Sequence, residues 1–393
     1  MDLALSTQAQ SSNNERILLR ELPAYSAIKV SGCEDGSPSE TIFIRKAGFG
    51  KTLIVFLSGN NTSSEMFEGV LNRFRSNNSL KEKYTALAVD YRGSGSSSYN
   101  QAISSLKDFA VDVCKVINSF EDLADYAIHL VGYSMGFPIA LELFNLHPHF
   151  ESLVGIAPVS TRGIRVAFNE SNTGVDQLGK RWQAGDWVPL QDVKKGIEAT
   201  AFHQRQWQGS ARTFENVQAV WDSIVFNDWL GFNFADGSIQ NVSNKLLPNY
   251  QNALTDSLRI QYMPESLYFS HAYNGSGVDI PGYKNSDGSE VKIPTYNSVN
   301  CLEGKRVLLL KAKSDYAQWR GDVVISDEDF ELSVGDLKRV GADLSSYLIE
   351  SGNGFDHGLV IAKPECIASV IVNFIEGDLE ANLASELLGA PVS

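Results

Sequence analysis

Three side chains of types that can together perform nucleophilic chemistry follow one another along this 393-residue chain: Ser134, Asp315 and His357. A serine hydroxyl is a weak nucleophile until a base takes its proton, and the base needs a partner, usually a carboxylate, to orient it. Ser134 is the centre of Gly132-Tyr133-Ser134-Met135-Gly136, which has the form G-x-S-x-G. Glycines on either side allow a strand and a helix to approach closely around the serine. A helix starting there offers backbone N–H groups and the positive end of its dipole to a developing oxyanion. His357 stands in the turn Gly354-Phe355-Asp356-His357-Gly358 and is the expected general base. Asp315 is the expected acid; Asp322, Asp327 and Asp329 follow in the same region. Asp356 is adjacent to His357 in sequence, so its side chain points away from the imidazole and reads as a turn former. Among the other histidines, His129 lies in an apolar run and reads as a satisfied core residue. His147 and His149 flank Pro148 at a helix end, and His203 and His271 read as surface residues.

The surrounding pattern supplies elements to position these groups. The apolar run at 128–131 reads as a buried strand entering the serine turn, and Ile139, Leu143 and Leu146 carry a helical period out of it. The continuous apolar run at 52–57 reads as a central strand buried on both faces, and 84–91, 153–157, 306–311 and 344–349 read as further strands. Helical spacing is expected from Ser63, over 106–120, within 327–340, and over 365–374. Each of Ser134, Asp315 and His357 falls just past a predicted strand. Strands alternating with helices imply right-handed crossovers and a mostly parallel sheet flanked by helices, an α/β fold. Short strands at 17–22, 27–30 and 41–45 read as an antiparallel lead-in.

The alternation breaks after Pro158. From 161 to 299 the chain is rich in Gln, Asn and aromatic residues, and five of its six tryptophans fall there. A structureless loop of that length does not suit a compact domain, so this segment reads as a cap or lid inserted into a core of 15–160 and 300–393. Residues 1–14 read as a flexible N-terminus. A hairpin is expected within 284–293.

The formal net charge of −14 argues against a nucleic-acid partner and against docking on anionic membranes. Hydrophobic residues make up 43% of the chain, enough for a sizeable core, yet no apolar run reaches the length of a membrane span. The four cysteines (Cys33, Cys114, Cys301 and Cys366) are widely spaced, without a C-x-x-C motif, and indicate neither a metal site nor a disulfide framework. The N-terminus lacks the charge and apolar pattern of a leader. The expectation is a cytoplasmic protein without an integral membrane segment.

Five segments taken together resemble the α/β-hydrolase superfamily, and within it the serine esterases and lipases: LIVFLSGNN, DYRGSGSS, GYSMG, LLLKAKSDY and GFDHG. The chain order Ser, Asp, His is that of the same superfamily. The resemblance spans about 41–160 and 305–374 and excludes the inserted segment. It implies an α/β-hydrolase fold with Ser134 as nucleophile, His357 as base and Asp315 as acid. It further implies an oxyanion hole built from the backbone N–H groups of Met135 and Asn60. Many relatives carry His-Gly where this chain has Ser58-Gly59, so the bonding around that loop must differ here. DYRGSGSS does not form G-x-G-x-x-G and reads as a tight strand-to-helix turn.

The reading is a hydrolase that cleaves a carboxylic ester or lactone of a bulky hydrophobic small molecule through an acyl-enzyme, with no cofactor and no metal. Tyr133, Asn61, Trp187, Trp207, Trp221 and Trp229 are the candidate substrate contacts, because an aromatic wall over the nucleophile favours an apolar or aromatic substrate. Two alternatives keep the three residues and change the chemistry: acyl transfer to an alcohol or amine, and carbon–carbon bond hydrolysis. A third, from another class, is a ligand-binding protein on the same fold.

Overall fold

The computed structural model describes residues 17–31, 38–59, 62–101, 106–147, 149–161, 280–284, 290–293, 297–315, 321–322, 325–351 and 355–379. Eight strands form one sheet in the order β1-β2-β4-β3-β5-β6-β9-β10. They are β1 (Tyr25–Val30), β2 (Glu40–Gly48), β3 (Thr52–Leu57), β4 (Tyr84–Val89), β5 (Ala127–Tyr133), β6 (Phe150–Ile156), β9 (Arg306–Ala312) and β10 (Asp343–Ile349). Strand β2 pairs antiparallel with both β1 and β4, and every other pairing is parallel. The sheet is therefore mostly parallel, with the expected antiparallel lead-in. A separate antiparallel hairpin joins β7 (Ile280–Lys284) and β8 (Glu290–Ile293), overlapping the expected one.

Parallel strands buried on both faces need an apolar layer on each side. In β3, Leu53, Val55 and Leu57 join one core layer while Ile54 and Phe56 join the other. The first layer is closed by α3 (Leu106–Asn118), α4 (Gly136–Leu146) and α5 (Asp327–Arg339), through Phe109, Val113, Phe137, Leu141 and Phe330. The second is closed by α1 (Glu68–Ser76) and the final helix, through Val70, Phe74, Ile367, Ile371 and Phe374. Two short helices, α2 (Asn78–Lys83) and α6 (Leu359–Ala362), precede β4 and that final helix, α7 (Pro364–Glu376). Local signals fix the helix ends. Ser326 caps α5 by accepting from the Asp329 N–H. Proline opens α7, and Gly377 closes it at φ 85° in the left-handed region.

One predicted strand is not formed. Residues 17–22 instead hold a short 3-10 turn, Leu19–Glu21, with an isolated bridge from Ile17 to Phe120. The Lys46 ammonium explains the turn: its Nζ donates to the carbonyls of Arg20 and Leu22 at 3.1 and 3.0 Å, drawing both toward one point. In a strand, carbonyls two residues apart share an edge but stand about 6.6 Å apart, too far for one ammonium to hold both at these distances.

Strands β6 and β9 are neighbours in the sheet, so the whole segment between them is a single connection that leaves from the carboxyl end of β6. Its first residues are anchored. The Thr161 N–H donates to Ser333 Oγ at 3.1 Å, and its hydroxyl donates to Asp336 at 2.7 Å, both on α5. Residues 162–279, nearly all of the expected cap, lie outside the described residues.

Candidate active site

Ser134 sits between β5 and α4 with φ at +50°, a left-handed conformation that costs a non-glycine residue about 1–3 kcal/mol. The surrounding backbone holds it there. Its N–H donates to the Ile156 carbonyl at 3.0 Å, and its carbonyl accepts from Phe137 and Val159 at 3.1 and 3.2 Å. The turn closes this tightly only because its flanks are glycine. A Cβ on Gly136 would lie 2.1 Å from the Leu57 carbonyl oxygen, and one on Gly132 would lie 2.6 Å from Phe137 Cα. The two glycines of the G-x-S-x-G motif thus do what the sequence reading asks of them.

His357 reaches Ser134 from the turn after β10. Its Nε2 lies 3.2 Å from Ser134 Oγ, and both residues are buried, at 2% and 7% exposure. The imidazole packs on Tyr133, ring centroids 5.3 Å apart. The turn is shaped by Asp356, whose Oδ1 accepts from the Gly358 N–H at 2.7 Å, as its turn-former reading expects. Burial pushes the Asp356 carboxyl well above the usual carboxylate range; the Gly358 bond opposes this and the Asp322 charge adds to it.

The carboxylate that meets the histidine is Asp322, not Asp315. His357 Nδ1 lies 3.0 Å from Asp322 Oδ1, which also accepts from the Ile325 N–H at 2.9 Å. The reason lies in the path of the loop. Gly321, at φ +71°, is packed so closely on the chain leaving β9 that a Cβ there would lie 1.7 Å from the Lys313 carbonyl oxygen. The loop has returned to its starting point, and the next residue, Asp322, stands near the strand end. Asp315 comes only three residues after Ala312 and is half-buried on the outgoing arm. A glycine directly before an aspartate was the sequence signal for this return. Asp322 is fully buried. Burial alone would raise its carboxyl, but the charges of His357 and Lys311 and the bonds from His357 and Ile325 outweigh it and hold the group below its ordinary value. Asp327 and Asp329 belong to α5, the first paired with Lys311 and the second bonded to the capping Ser326.

Met135 stands at the N-cap of α4, next to the serine. Asn60 and Asn61 lie outside the described residues, as do Trp187, Trp207, Trp221 and Trp229. The loop that carries Asn60 arrives beside the nucleophile nonetheless: a Cβ on Gly59 would lie 2.8 Å from the Tyr133 ring and 3.2 Å from Ser134 Cβ. Tyr133 is 3% exposed and packs between these groups. Sequence reasoning missed the residue that pins this loop, Asp90. Its two oxygens accept from the N–H groups of Ser64 and Ser96 at 2.7 and 2.9 Å. Ser94 Oγ then donates to the Thr62 carbonyl and Thr62 Oγ1 to the Gly59 carbonyl, each at 2.9 Å. DYRGSGSS is thus a strand-to-helix turn whose first residue steadies the neighbouring loop. Its Arg92 pairs with Asp112 through two 2.5 Å bonds in the core.

The remaining described histidines stand apart from this cluster. His129 is buried against Ser152 Oγ at 2.7 Å, and burial, aided by the Arg306 charge, lowers its pKa to about 4. His147 and His149 face each other near Phe150 at the end of α4. His203 and His271 lie outside the described residues. Among the described residues no group of three or more His, Cys, Asp or Glu is arranged to hold a metal ion. No described helix is long and apolar enough to cross a membrane.

A serine in a strained strand-to-helix turn, bonded to a histidine that is bonded to a carboxylate, can transfer its proton and attack an electrophilic carbon. A family profile described as "alpha/beta hydrolase fold" matches residues 52–187. No curated protein matches the sequence. Among solved structures, an esterase from Thermogutta terrifontis is similar with a TM-score of 0.56 at 12% identity, over 90% of this chain and 98% of its own. A bromoperoxidase from Bacillus anthracis gives 0.54 at 15%, over 89% and 100%. An enol-lactonase from Burkholderia xenovorans LB400 gives 0.53 at 12%, over 86% and 97%. At such identities the likeness speaks for the fold alone. Sheet order, serine turn and profile agree, and this chain has the α/β-hydrolase fold.

Proposed function

We propose that the protein is a serine hydrolase that cleaves a carboxylic ester or lactone, with Ser134 as nucleophile, His357 as base and Asp322 as acid. The carrying observation is the unbroken chain from Ser134 Oγ to His357 Nε2 at 3.2 Å and from Nδ1 to Asp322 Oδ1 at 3.0 Å. Because the Asp322 carboxyl is held low, it is ionised at neutral pH and only accepts hydrogen bonds. It therefore fixes the proton on Nδ1 and leaves the Nε2 lone pair facing the serine hydroxyl. His357 takes that proton as Ser134 Oγ attacks the carbonyl carbon. The tetrahedral oxyanion is received by the backbone N–H groups of Met135 and Asn60. The histidine returns the proton to the departing alcohol oxygen, and a water activated in the same way releases the acid from the acyl-enzyme.

The substrate class rests on the inserted segment. It leaves the sheet at the carboxyl end of β6, where the Val159 N–H is bonded to the Ser134 carbonyl. It carries Trp187, Trp207, Trp221 and Trp229 as candidate wall residues; Tyr133 and Asn61, outside that segment, complete the candidate substrate contacts. An aromatic wall over the nucleophile supports a bulky hydrophobic acyl or alcohol group. The esterase and enol-lactonase among the similar structures support ester and lactone substrates as the first panel. The test is fluorophosphonate labelling of the wild type and of Ser134→Ala, read by intact mass and followed by hydrolysis of that panel. One adduct on the wild type and none on the variant, with turnover of at least one ester, is the expected result. A folded wild type that neither labels nor hydrolyses a small activated ester overturns the reading.

A further inference from the structure

Strand β9 carries a lysine that the proposed reaction does not use. Lys311 is fully buried, and its ammonium gives three hydrogen bonds: to the Ala312 carbonyl at 2.7 Å, Ser314 Oγ at 2.9 Å and Asp327 Oδ1 at 2.6 Å. A buried cation is costly unless its partners are fixed, so the identity of those partners indicates its role. Ser314 and Asp327 flank Asp322 in the chain and are tied to each other, the Ser314 N–H donating to Asp327 Oδ1 at 3.0 Å. Ser314 Oγ donates to the carbonyl of Asp322 itself at 2.6 Å and sits 3.1 Å from that of Ile325. Ile325 in turn holds the Asp322 carboxylate through its N–H. One ammonium thus gathers both ends of the loop that presents the acid.

We infer that Lys311, with Asp327 and Ser314, is a positioning cluster for Asp322, closing its loop onto the strand end and setting the charge behind the carboxylate. The catalytic consequence rests on the function proposed above; the electrostatic consequence does not. The charged and titratable groups around Asp322 are Lys311 on β9, Asp327 on α5, and His357 and Asp356 from the turn after β10. Burial favours the neutral form of Asp356, and Lys363 lies beyond it. The balance between Lys311 and Asp327 therefore decides how strongly the pocket favours a positive imidazole.

That balance gives opposite signs for two variants. Lys311→Met leaves Asp322 and Asp327 uncompensated, favours the imidazolium, and moves the titration midpoint of the His357 ring to higher pH. Asp327→Asn leaves the Lys311 charge uncompensated and moves the midpoint down. Ser314→Ala removes the tether without a charge and leaves the midpoint in place. The midpoint is read from the downfield Nδ1–H proton resonance of the folded protein, which needs no substrate. Ester turnover, measured in parallel, falls about 100-fold in Lys311→Met and clearly in Ser314→Ala, with KM little changed, as expected when an acid is displaced by an ångström or so. Circular dichroism checks that each variant is folded. Should Lys311→Met not fold, the downward shift in Asp327→Asn carries the test. Folded Lys311→Met and Asp327→Asn variants that titrate as wild type, or that shift in the same direction, overturn the inference. Opposite shifts in a protein that hydrolyses no ester would leave the cluster standing and remove the esterase reading instead.

Discussion

The sharpest prediction separates two aspartates seven residues apart. Asp322→Asn keeps shape and volume but replaces an acceptor-only carboxylate with an amide. The amide can present its NH2 group to Nδ1, which places the imidazole proton on Nε2, facing Ser134, where no base remains. Losing the correct tautomer in a Ser-His-Asp system lowers kcat about 10⁴-fold, roughly 5.5 kcal/mol of transition-state stabilisation. The 3.0 Å contact of Nδ1 and the full burial of Asp322 mean that no solvent group is at hand to substitute. Asp315→Asn should stay within about twofold of wild type, since that side chain lies on the outgoing arm of the loop; surface-type substitutions usually change energies by less than about 0.5 kcal/mol. The assay is hydrolysis of a p-nitrophenyl ester, with the concentration of active sites fixed by fluorophosphonate titration and the fold checked by circular dichroism. The Asp322 variant should retain its KM, because the lost interaction acts in the transition state. If Asp315→Asn lost activity by orders of magnitude while Asp322→Asn kept it, the acid assignment and the loop argument behind it would both be wrong.

Three further outcomes follow from the same geometry. Ser134→Gly should be inactive yet more stable than Ser134→Ala by roughly 1 kcal/mol, because only glycine occupies φ +50° without strain; thermal melts of the pair decide this. Gly321→Ala should lower kcat about 100-fold or more, since its Cβ would lie 1.7 Å from the Lys313 carbonyl and the loop carrying Asp322 must open; a variant with wild-type turnover would refute the return-loop account. Asp356→Asn should stabilise the protein at neutral pH. The folded carboxyl, raised by burial, keeps its proton where the unfolded one, with a pKa near 4, has lost it, so stability falls as pH rises between the two values. Asparagine keeps the Oδ1 bond to Gly358 without that loss. The stability gap between variant and wild type should be smallest near pH 4 and widen as pH rises above it in denaturant melts; a constant gap would show that folding does not raise the Asp356 carboxyl.

What could be read from the residues alone follows a physical divide. The serine turn was legible because its requirements are local: two glycines, a strand before and a helix after, within about a dozen residues. The central strands were legible because burial on both faces leaves an unbroken apolar run such as 52–57. The strand expected at 17–22 failed because a distant side chain, Lys46, captured its carbonyls, and no window around residue 20 contains that information. The expected contact of Asp315 with His357 is missing for a related reason. Proximity to a strand end was judged along the chain, whereas Gly321 doubles the loop back so that the tenth residue of the excursion, not the third, stands near the starting point.

The parts of the site that escaped the sequence share one trait. Asp90 steadies the Gly59 loop through the N–H groups of Ser64 and Ser96, and Lys311 steadies the Asp322 loop through Ser314 and Asp327. Each is a polar residue at or near the carboxyl end of an apolar strand, buried, and bonded to chain on both sides of a loop. In water such a residue gains little from ordering a loop, because solvent competes for every bond. Buried beneath the site, its charge is not screened and an unmet bond costs about 1–3 kcal/mol, so the loop has one arrangement that satisfies it. Ser134 and His357 are placed by secondary structure; Asp322 and the Gly59 loop beside Ser134 are placed by these buried charges. Stability and turnover should therefore fall together when Asp90 or Lys311 is replaced, whereas Ser134→Gly separates them.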